Sequence, residues 1–207
     1  TRRQDEIVTV ELTEMAQTGE AIGRVDGVVL FVPFGLPGDQ AEVVVTERKR
    51  SFARGRLVRL LQPSPQRITP SCPYFTRCGG CEWQHIPYAE QVRLKEKNVR
   101  TQLTRIGKLA DPQVLPCIPS PNVYGYRNHA RLQRTATGAV GYRAARSHAV
   151  VPITACPILE PALEKALSHL SQRPLPAAQT ELELRVSMPL LIGAYTYQVA
   201  PDAFFQV

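Results

Sequence analysis

Residues 19–39, GEAIGRVDGVVLFVPFGLPGD, decide the fold of the first part of this chain. They place an Asp26-Gly27 pair between two apolar runs, and an Asp-Gly pair in that position is a strong short-range signal for a β-hairpin. Leu-Pro-Gly-Asp at the end of the stretch is a second turn sequence, because proline and glycine supply the backbone angles that tight turns require. The stretch therefore predicts two antiparallel strands, joined by one tight turn and followed by another.

Short segments with strand composition lie on both sides of this hairpin. EIVTVEL at 6–12 precedes it, and QAEVVVTERKR at 40–50 and FARGRLVRLL at 52–61 follow it. Five short strands within about sixty residues favour a small closed barrel of the oligonucleotide-binding (OB) type, and an SH3-like barrel fits the same pattern almost as well. QPSPQRITPSCP at 62–73 has four prolines in twelve residues and is predicted to be the linker that leaves the barrel.

A long amphipathic helix is predicted at residues 87–107. The segment ends at Gly107, a common position for glycine after a helix, and its apolar residues recur at helical spacing. Its predicted apolar face comprises Tyr88, Val92, Val99, Leu103 and Ile106. A basic face with Arg93, Lys97 and Arg100 is either solvated or in contact with phosphates.

The rest of the chain predicts a mixture of strands and one short helix. The predicted elements are two or three antiparallel strands in 126–153, a helix in 158–170 and further strands in 180–187 and 190–207. The predicted fold class is therefore mostly β with an α+β part. An OB-like barrel at 1–62 is followed by a small α+β central domain at 63–200, and 201–207 begin a further domain.

The charge of the chain points to a polyanionic partner. Its formal net charge is +7 and its isoelectric point is about 9.4, and such an excess of lysine and arginine is typical of proteins that neutralise phosphates. A soluble basic protein without such a partner is the alternative. No apolar run approaches the roughly 20 residues that span a bilayer, and the first residues lack a signal-peptide core, so a soluble, cytoplasmic protein without a membrane partner is expected.

The five cysteines suggest metal ligation. An odd number in a chain expected to be cytoplasmic argues against a disulfide framework. Three of them, Cys72, Cys78 and Cys81, lie in CPYFTRCGGCEWQH at 72–85 with the spacing C-x5-C-x2-C. The two glycines between Cys78 and Cys81 allow tight turns in which backbone amides point at thiolate sulfurs.

The fourth ligand and the metal are less strictly determined by the residues. Cys156, followed by proline as Cys72 is, is favoured over Cys117, and His85 is a second choice. Four thiolates fit tetrahedral zinc or a [4Fe-4S] cluster. Zinc sites usually use two C-x2-C pairs, so the single short pair favours iron–sulfur. Buried cysteines without a ligand are the remaining alternative.

Several stretches resemble one family. CPYFTRCGGCEWQHIPYAEQVRLKEKNV at 72–99 resembles the cluster segment of the S-adenosyl-L-methionine (SAM)-dependent RNA uracil-5-methyltransferases, which make 5-methyluridine in ribosomal and transfer RNA. Residues 19–39 resemble the TRAM domain, the RNA-binding barrel at the front of many of these enzymes. YGYRNHARL at 124–132, ACPIL at 155–159 and APDAFFQV at 200–207 resemble later segments of the same family.

The resemblance implies a role for particular residues. It implies a [4Fe-4S] cluster held by Cys72, Cys78, Cys81 and Cys156, and contact of Gln206 with SAM. The implied partner is ribosomal or transfer RNA with a single-stranded or loop uridine, and the protein is expected to be a monomer. The residues implied to face this RNA are Arg127, Asn128, Arg131 and Phe204.

The resemblance covers only the N-terminal and central part of the family. In the family, a cysteine thiolate adds to C6 of a flipped-out uracil, C5 takes the SAM methyl group and a base removes the C5 proton. The glycine-rich SAM loop and the Ser-Cys-Asn-Pro nucleophile segment do not occur in this sequence, and Cys117 is not in that context. The chain is therefore expected to bind RNA without transferring methyl groups by itself, with residues 201–207 as the start of the Rossmann-like methyltransferase domain.

Two other classes of protein remain open from the sequence. One is a non-enzymatic RNA-binding protein with a zinc ribbon that is associated with translation, and metal content distinguishes it. The other is an iron–sulfur helicase or repair enzyme. The absence of a G-x4-G-K-[ST] phosphate-binding motif from the sequence counts against a helicase.

Overall fold

The computed structural model describes residues 6–172, 176, 178, 180–186, 189–192 and 195–198. By its contacts the chain divides into two compact units. Unit 1 comprises Thr1–Thr76 and Cys81–Ser120, and unit 2 comprises Arg77–Gly80 and Pro121–Val207. Among the described residues, no helix has both the length and the apolar character that a membrane span requires.

Unit 1 contains a closed five-stranded barrel. Its strands are β1 (Ile7–Met15), β2 (Ala21–Val25), β3 (Val28–Val32), β4 (Gln40–Arg48) and β5 (Phe52–Gln62). They pair in the order β1-β2-β3-β5-β4, and β1 closes the barrel against β4. The β3–β5 pair is parallel and the others are antiparallel. The predicted five-stranded barrel is confirmed, and closure removes the exposed strand edges that favour aggregation.

The barrel forms because alternate residues of each strand point inward. Along β1, Val8, Val10 and Leu12 are buried while the residues between them are exposed. The predicted hairpin is also confirmed. β2 and β3 pair antiparallel, and the turn residues Asp26 and Gly27 have φ values of 51° and 77°, the left-handed region that a two-residue hairpin loop requires.

The segment after the barrel is attached to it by a buried carboxylate. The Asp39 side chain is fully buried and accepts hydrogen bonds from the backbone N–H groups of Leu36 and Ser64, both at 2.8 Å. It also forms an ion pair with Arg67. Contacts therefore group residues 63–76 with the barrel, although the sequence suggested a linker and a domain boundary at residue 62. That domain division stays a prediction about the family's architecture.

Helix α1 (Tyr88–Arg105) follows the cysteine segment and confirms the predicted helix. Its buried residue is Leu94, which packs with Leu36 and Ile86. The predicted apolar face is wrong in its second half, because Val99 is 51% exposed and Ile106 is 74% exposed. The apolar core of unit 1 reaches the first half of α1, so helical spacing alone did not identify the side that packs.

Unit 2 is built on a four-stranded antiparallel sheet. Its strands are β6 (His129–Arg134), β7 (Val140–Arg143), β8 (Val150–Pro152) and β9 (Glu181–Arg185), in the order β8-β7-β6-β9. Helix α2 (Pro161–Ser171) buries Leu163 and Leu167 and contacts β9. Strands β10 (Pro189–Ile192) and β11 (Tyr195–Gln198) form a separate antiparallel pair. The predicted short helix and strands are present where this region is described, and the part of the prediction at 199–207 lies outside the described residues.

Candidate metal centre and nucleic-acid interface

The first half of the Cys-Gly-Gly-Cys segment runs along the sheet of unit 2. Cys78 forms an isolated antiparallel bridge with Ala144, just beyond the end of β7. The Gly79 N–H donates a hydrogen bond of 3.0 Å to the carbonyl oxygen of Arg143. A Cβ atom at Gly79 would lie 2.9 Å from that oxygen and 3.0 Å from the backbone nitrogen of Ala145. The close approach of two backbones therefore requires glycine at position 79.

The sulfur of Cys78 receives a backbone hydrogen bond. The Gly80 N–H donates to Cys78 Sγ at 3.4 Å. Hydrogen bonds to cysteine sulfur stabilise negative charge on it and tune the potential of iron–sulfur clusters. Arg127 contacts the same segment from a distant part of the sequence, with its Nη2 3.5 Å from the carbonyl oxygen of Gly80. This local geometry favours Cys78 as a thiolate ligand.

Cys156 is held at the start of α2. It is 8% exposed, and its backbone N–H donates to both carboxylate oxygens of Glu164, at 3.1 and 2.9 Å. Glu164 lies in the first turn of α2, where a negative side chain is also favoured by the helix dipole. The first turn of α2 therefore holds the backbone of Cys156 in place through Glu164.

Cys78 and Cys156 both affect the pKa of one buried tyrosine, Tyr142. Burial raises the pKa of the Tyr142 hydroxyl, and the nearby thiols of Cys156 and Cys78 raise this pKa further, while Arg127 opposes them. The Tyr142 oxygen is buried, and Arg127 lowers its pKa through both its charge and a side-chain hydrogen bond. Cys78 and Cys156, two of the four predicted ligands, therefore both lie near Tyr142 in unit 2. No local pattern in the sequence identified Tyr142.

In unit 1, the surroundings of Cys72 are set by the Trp-Gln-His segment. The Cys72 N–H donates to Gln84 Oε1 at 3.1 Å, and Trp83 Nε1 donates to the carbonyl oxygen of Gly19 at 2.9 Å. Gln84 is 8% exposed, and its Nε2 has no hydrogen-bond partner in the described part of the chain. These contacts anchor the segment to the barrel and leave a buried donor on Gln84.

His85 is buried within unit 1. It is 1% exposed, its Nε2 lies 3.2 Å from the carbonyl oxygen of Gly35, and its ring packs beside Phe75. Burial, together with the positive charge of Arg67, lowers the pKa of His85 to about 4, although Gly35 and Asp39 act in the opposite direction. His85 is therefore neutral at pH 7. The sequence suggested His85 as a second-choice metal ligand, whereas the structure shows its Nε2 in contact with the Gly35 carbonyl oxygen.

The cysteines offer the chemistry of a thiolate site. The family resemblance implies Cys72, Cys78, Cys81 and Cys156 as ligands. Within residues 6–172 and the described segments that follow, no three His, Cys, Asp or Glu residues form a group that could hold a metal ion. The donor set still fits an iron–sulfur cluster chemically, because thiolates are its usual ligands and Cys78 has the amide hydrogen bond described above.

The outer face of the barrel has an aromatic and basic patch. The guanidinium carbon of Arg54 lies 5.5 Å from the ring centre of Phe31 and 5.9 Å from that of Phe52. The two rings meet edge to face with centres 5.9 Å apart. Arg54 also forms an ion pair of 2.6 Å with Glu20. Arginine and aromatic groups together are common in surfaces on which RNA bases stack. The alternation of β3 and β5 places these side chains outward, a signal that the sequence analysis missed.

The sheet of unit 2 has a charged face. Arg131 has a side chain that is 61% exposed, with Nε 3.3 Å from Glu181 Oε1, and His129 contacts Glu183. Of the other predicted RNA-facing residues, Arg127 lies at the cysteine segment and Asn128 accepts a backbone hydrogen bond from Val186. Phe204 and Gln206 lie outside the described residues. The assignment of these residues to RNA and SAM stays a prediction.

A comparison with known protein families identifies the domain that contains the barrel. The TRAM domain model matches residues 2–58. An uncharacterized RNA methyltransferase of Nostoc sp. is 40% identical over 176 residues, which are 83% of this chain and 38% of that protein. The 23S rRNA (uracil(1939)-C(5))-methyltransferase RlmD of Enterobacter sp. is 36% identical over 209 residues, 95% of this chain and 47% of that protein.

A solved structure resembles the chain as well. It is the crystal structure of Pyrococcus abyssi tRNA (uracil-54, C5)-methyltransferase in complex with S-adenosyl-L-homocysteine. The match has a TM-score of 0.57 and 25% sequence identity, and covers 79% of this chain and 36% of that one. The chain spans less than half the length of each of these relatives.

The barrel and the match at residues 2–58 define a protein with a TRAM domain. Over four-fifths of its length or more, the chain is related to proteins named as RNA methyltransferases. It is a member of the RNA uracil-5-methyltransferase family, and the family resemblance inferred from the sequence is confirmed.

Proposed function

We propose that this chain is the RNA-recognition and iron–sulfur portion of a SAM-dependent enzyme that forms 5-methyluridine in ribosomal or transfer RNA. The observation that carries the proposal is the TRAM match on a closed barrel, together with relatives that are named for uracil-C5 methylation of RNA. In this proposal, SAM binds mainly to the part of the enzyme beyond the 207 residues of the chain.

Charge and ring stacking support the RNA-binding part of the proposal. The net charge of +7 favours a polyanion, since each phosphate that is neutralised releases counterions. The Arg54–Phe31–Phe52 patch offers ring faces to unstacked bases, which single-stranded and loop RNA expose. On the sheet of unit 2, Arg131 offers a guanidinium group that can bind phosphate in two hydrogen bonds.

In the proposed function four cysteines, Cys72, Cys78, Cys81 and Cys156, would hold the cluster. A [4Fe-4S] cluster bound by them would link two distant parts of the sequence and would add a group that can be oxidised and reduced. The protein side of this arrangement is local: the Gly80 amide stabilises charge on Cys78, Glu164 positions Cys156, and Gln84 positions Cys72.

Binding of a labelled, uridine-containing single-stranded RNA tests the proposed function. We expect affinity to fall steeply between about 50 and 200 mM salt, because binding depends on released counterions. Arg131→Ala should weaken binding by about three- to tenfold, since it removes one exposed phosphate-binding side chain. Fluorescence anisotropy measures both effects.

The matched control is Lys165→Ala, which removes the same charge from an exposed position on α2 of the same unit. It should leave the affinity within about twofold, because overall charge changes little. Equal losses in the two variants would show that only net charge matters and would contradict the assignment of Arg131. Binding that is absent or insensitive to salt would contradict the proposed function.

A further inference from the structure

The outward face of the four-stranded sheet of unit 2 is rich in arginine. On β6, Ala130 and Leu132 are buried, so the residues that alternate with them face outward. The pairing of Gln133 with Gly141 places Arg143, two residues further along β7, on this outward face as well. Pairing with β9 adds another, so that the face contains Arg131, Arg143 and Arg185.

Two of these arginines are paired with carboxylates. Arg131 Nε lies 3.3 Å from Glu181 Oε1, and Arg185 Nη2 lies 2.6 Å from Glu183 Oε1. Arg143 is exposed and differs from them, because its side-chain partners in the described part of the chain are an imidazole and an amide. No carboxylate of the described residues therefore offsets the charge of Arg143.

These partners hold the guanidinium group of Arg143 in one orientation. Its Nη1 donates to His148 Nδ1 at 3.2 Å, and its Nη2 donates to Gln133 Oε1 at 3.4 Å. Gln133 is itself fixed, because its Nε2 donates to Glu181. The backbone of Arg143 pairs with β8, and its carbonyl oxygen accepts from the Gly79 N–H. The charge of Arg143 is therefore held in place before any partner binds, which lowers the entropic cost of binding.

Arg143 and His148 together present hydrogen-bond donors. Arginine cannot accept a hydrogen bond, so His148 Nδ1 is the acceptor and the proton of the neutral ring lies on Nε2. The guanidinium group keeps further N–H donors beyond its two contacts, and the exposed imidazole adds one more. Phosphate oxygens accept such hydrogen bonds in pairs from the planar fork of arginine. The site therefore fits an oxyanion.

We propose that Arg143, flanked by His148 and Gln133, binds a backbone phosphate of the RNA on the outward face of this sheet. The inference deepens the proposed function and rests on it, because it requires RNA as the partner. The net charge of +7 favours the phosphate of a polyanion over a single carboxylate. Arg143 is a positioning residue in this role, because a phosphate contact orients RNA without reading its sequence.

Arg143→Ala tests the inference with labelled single-stranded RNA, whose affinity is measured by fluorescence anisotropy at several salt concentrations. Affinity should fall by about three- to tenfold at about 100 mM salt, as expected for one lost phosphate contact. The slope of log affinity against log salt should become shallower by about 0.7, the value for one phosphate of a single strand. The loss should be equal for RNA with and without uridine.

Two further variants separate position and geometry from net charge. Lys165→Ala removes the same charge from an exposed position on α2 and should leave the slope unchanged and the affinity within about twofold. Arg143→Lys keeps the charge and loses the planar fork, so it should restore the slope and leave the affinity at least about twofold below that of the unaltered chain. Thermal unfolding confirms that each variant is folded, as expected for exposed side chains.

Equal affinities and slopes for Arg143→Ala and Lys165→Ala would overturn the inference. Full affinity in Arg143→Lys, or a loss in Arg143→Ala that depends on uridine, would overturn it as well. In each of these cases the unaltered chain still binds RNA in a salt-dependent manner, so the proposed function stands. Failure of the unaltered chain to bind RNA would overturn the proposed function and this inference with it.

Discussion

Gly79→Ala should destabilise unit 2 and remove most of the iron of the proposed cluster, whereas Gly80→Ala should have little effect on either. A Cβ at Gly79 would lie 2.9–3.1 Å from three backbone atoms of residues 143–145. Backbone atoms cannot move aside as the end of a flexible side chain can, so residues 77–80 must shift away from β7. Overpacking of this kind destabilises a protein by about 1–3 kcal/mol.

The shift would also break the contacts that place Cys78. The Gly79 N–H would lose its 3.0 Å hydrogen bond to Arg143, and the bridge between Cys78 and Ala144 would open. A displaced ligand weakens a four-thiolate site strongly, because the geometry of the set determines its affinity for the metal. Iron and sulfide content after purification without air, and thermal unfolding of the cluster-free chain, measure the two effects.

Gly80→Ala is the matched control for this experiment. At Gly80 the nearest atom to a new Cβ is Cys78 Sγ at 3.4 Å, which is an ordinary van der Waals distance, and the backbone is not in the left-handed region. The two variants therefore add the same methyl group at neighbouring positions, but only the one at Gly79 crowds backbone atoms. If both retained iron equally and melted together, the close backbone approach would not be what positions Cys78.

Acidification from pH 7 to pH 4 should destabilise unit 1 by up to about 3 kcal/mol through His85 alone. The pKa of His85 is about 4 in the folded chain and 6.5 in its unperturbed state. Between these values the unfolded chain binds a proton that the folded chain does not. The stabilising contribution is therefore complete above pH 6.5 and is lost as the pH falls toward 4.

The physical cause is the burial of the ring. His85 donates from Nε2 to the Gly35 carbonyl, and its Nδ1 has no partner among the described residues. Protonation would place a proton and a charge on Nδ1 close to the positive Arg67, and the opposing effect of Asp39 is smaller. A neutral imidazole that becomes charged in such a place favours the unfolded chain.

Urea unfolding followed by Trp83 fluorescence measures this effect. Trp83 is the one tryptophan in the sequence and lies in unit 1, so its signal reports on the unit that contains His85. His85→Gln keeps a side-chain N–H donor and should flatten the difference in stability between pH 7 and pH 4.5. His148→Gln removes an exposed imidazole from unit 2 and should leave the curve unchanged. A slope that persisted in His85→Gln would assign the pH dependence to other groups.

The features that could be predicted from the sequence are those with local causes. The hairpin at Asp26-Gly27 follows from turn chemistry, and the barrel strands follow from alternation of buried and exposed residues. The bounds of α1 follow from helical spacing and from Gly107. The cysteine spacing identified the segment that resembles the family, and the comparisons confirm that relationship.

The features that could not be predicted depend on contacts between distant residues. The pair of Arg67 and Asp39 joins positions 28 residues apart, and it attaches a segment whose prolines suggested a free linker. The packed side of α1 is decided by where Leu36 lies and not by the helix itself. Tyr142 carries no motif, and its relation to Cys78 becomes visible only through the bridge to Ala144.

The proposed function is tested most directly by the iron, zinc and sulfide content of the chain purified without air, together with its visible absorption spectrum. We expect about four irons and four sulfides per chain, with loss of the spectrum in Cys156→Ala and its retention in Cys117→Ala. One zinc per chain without sulfide would contradict the iron–sulfur proposal and would favour a zinc-containing RNA-binding protein.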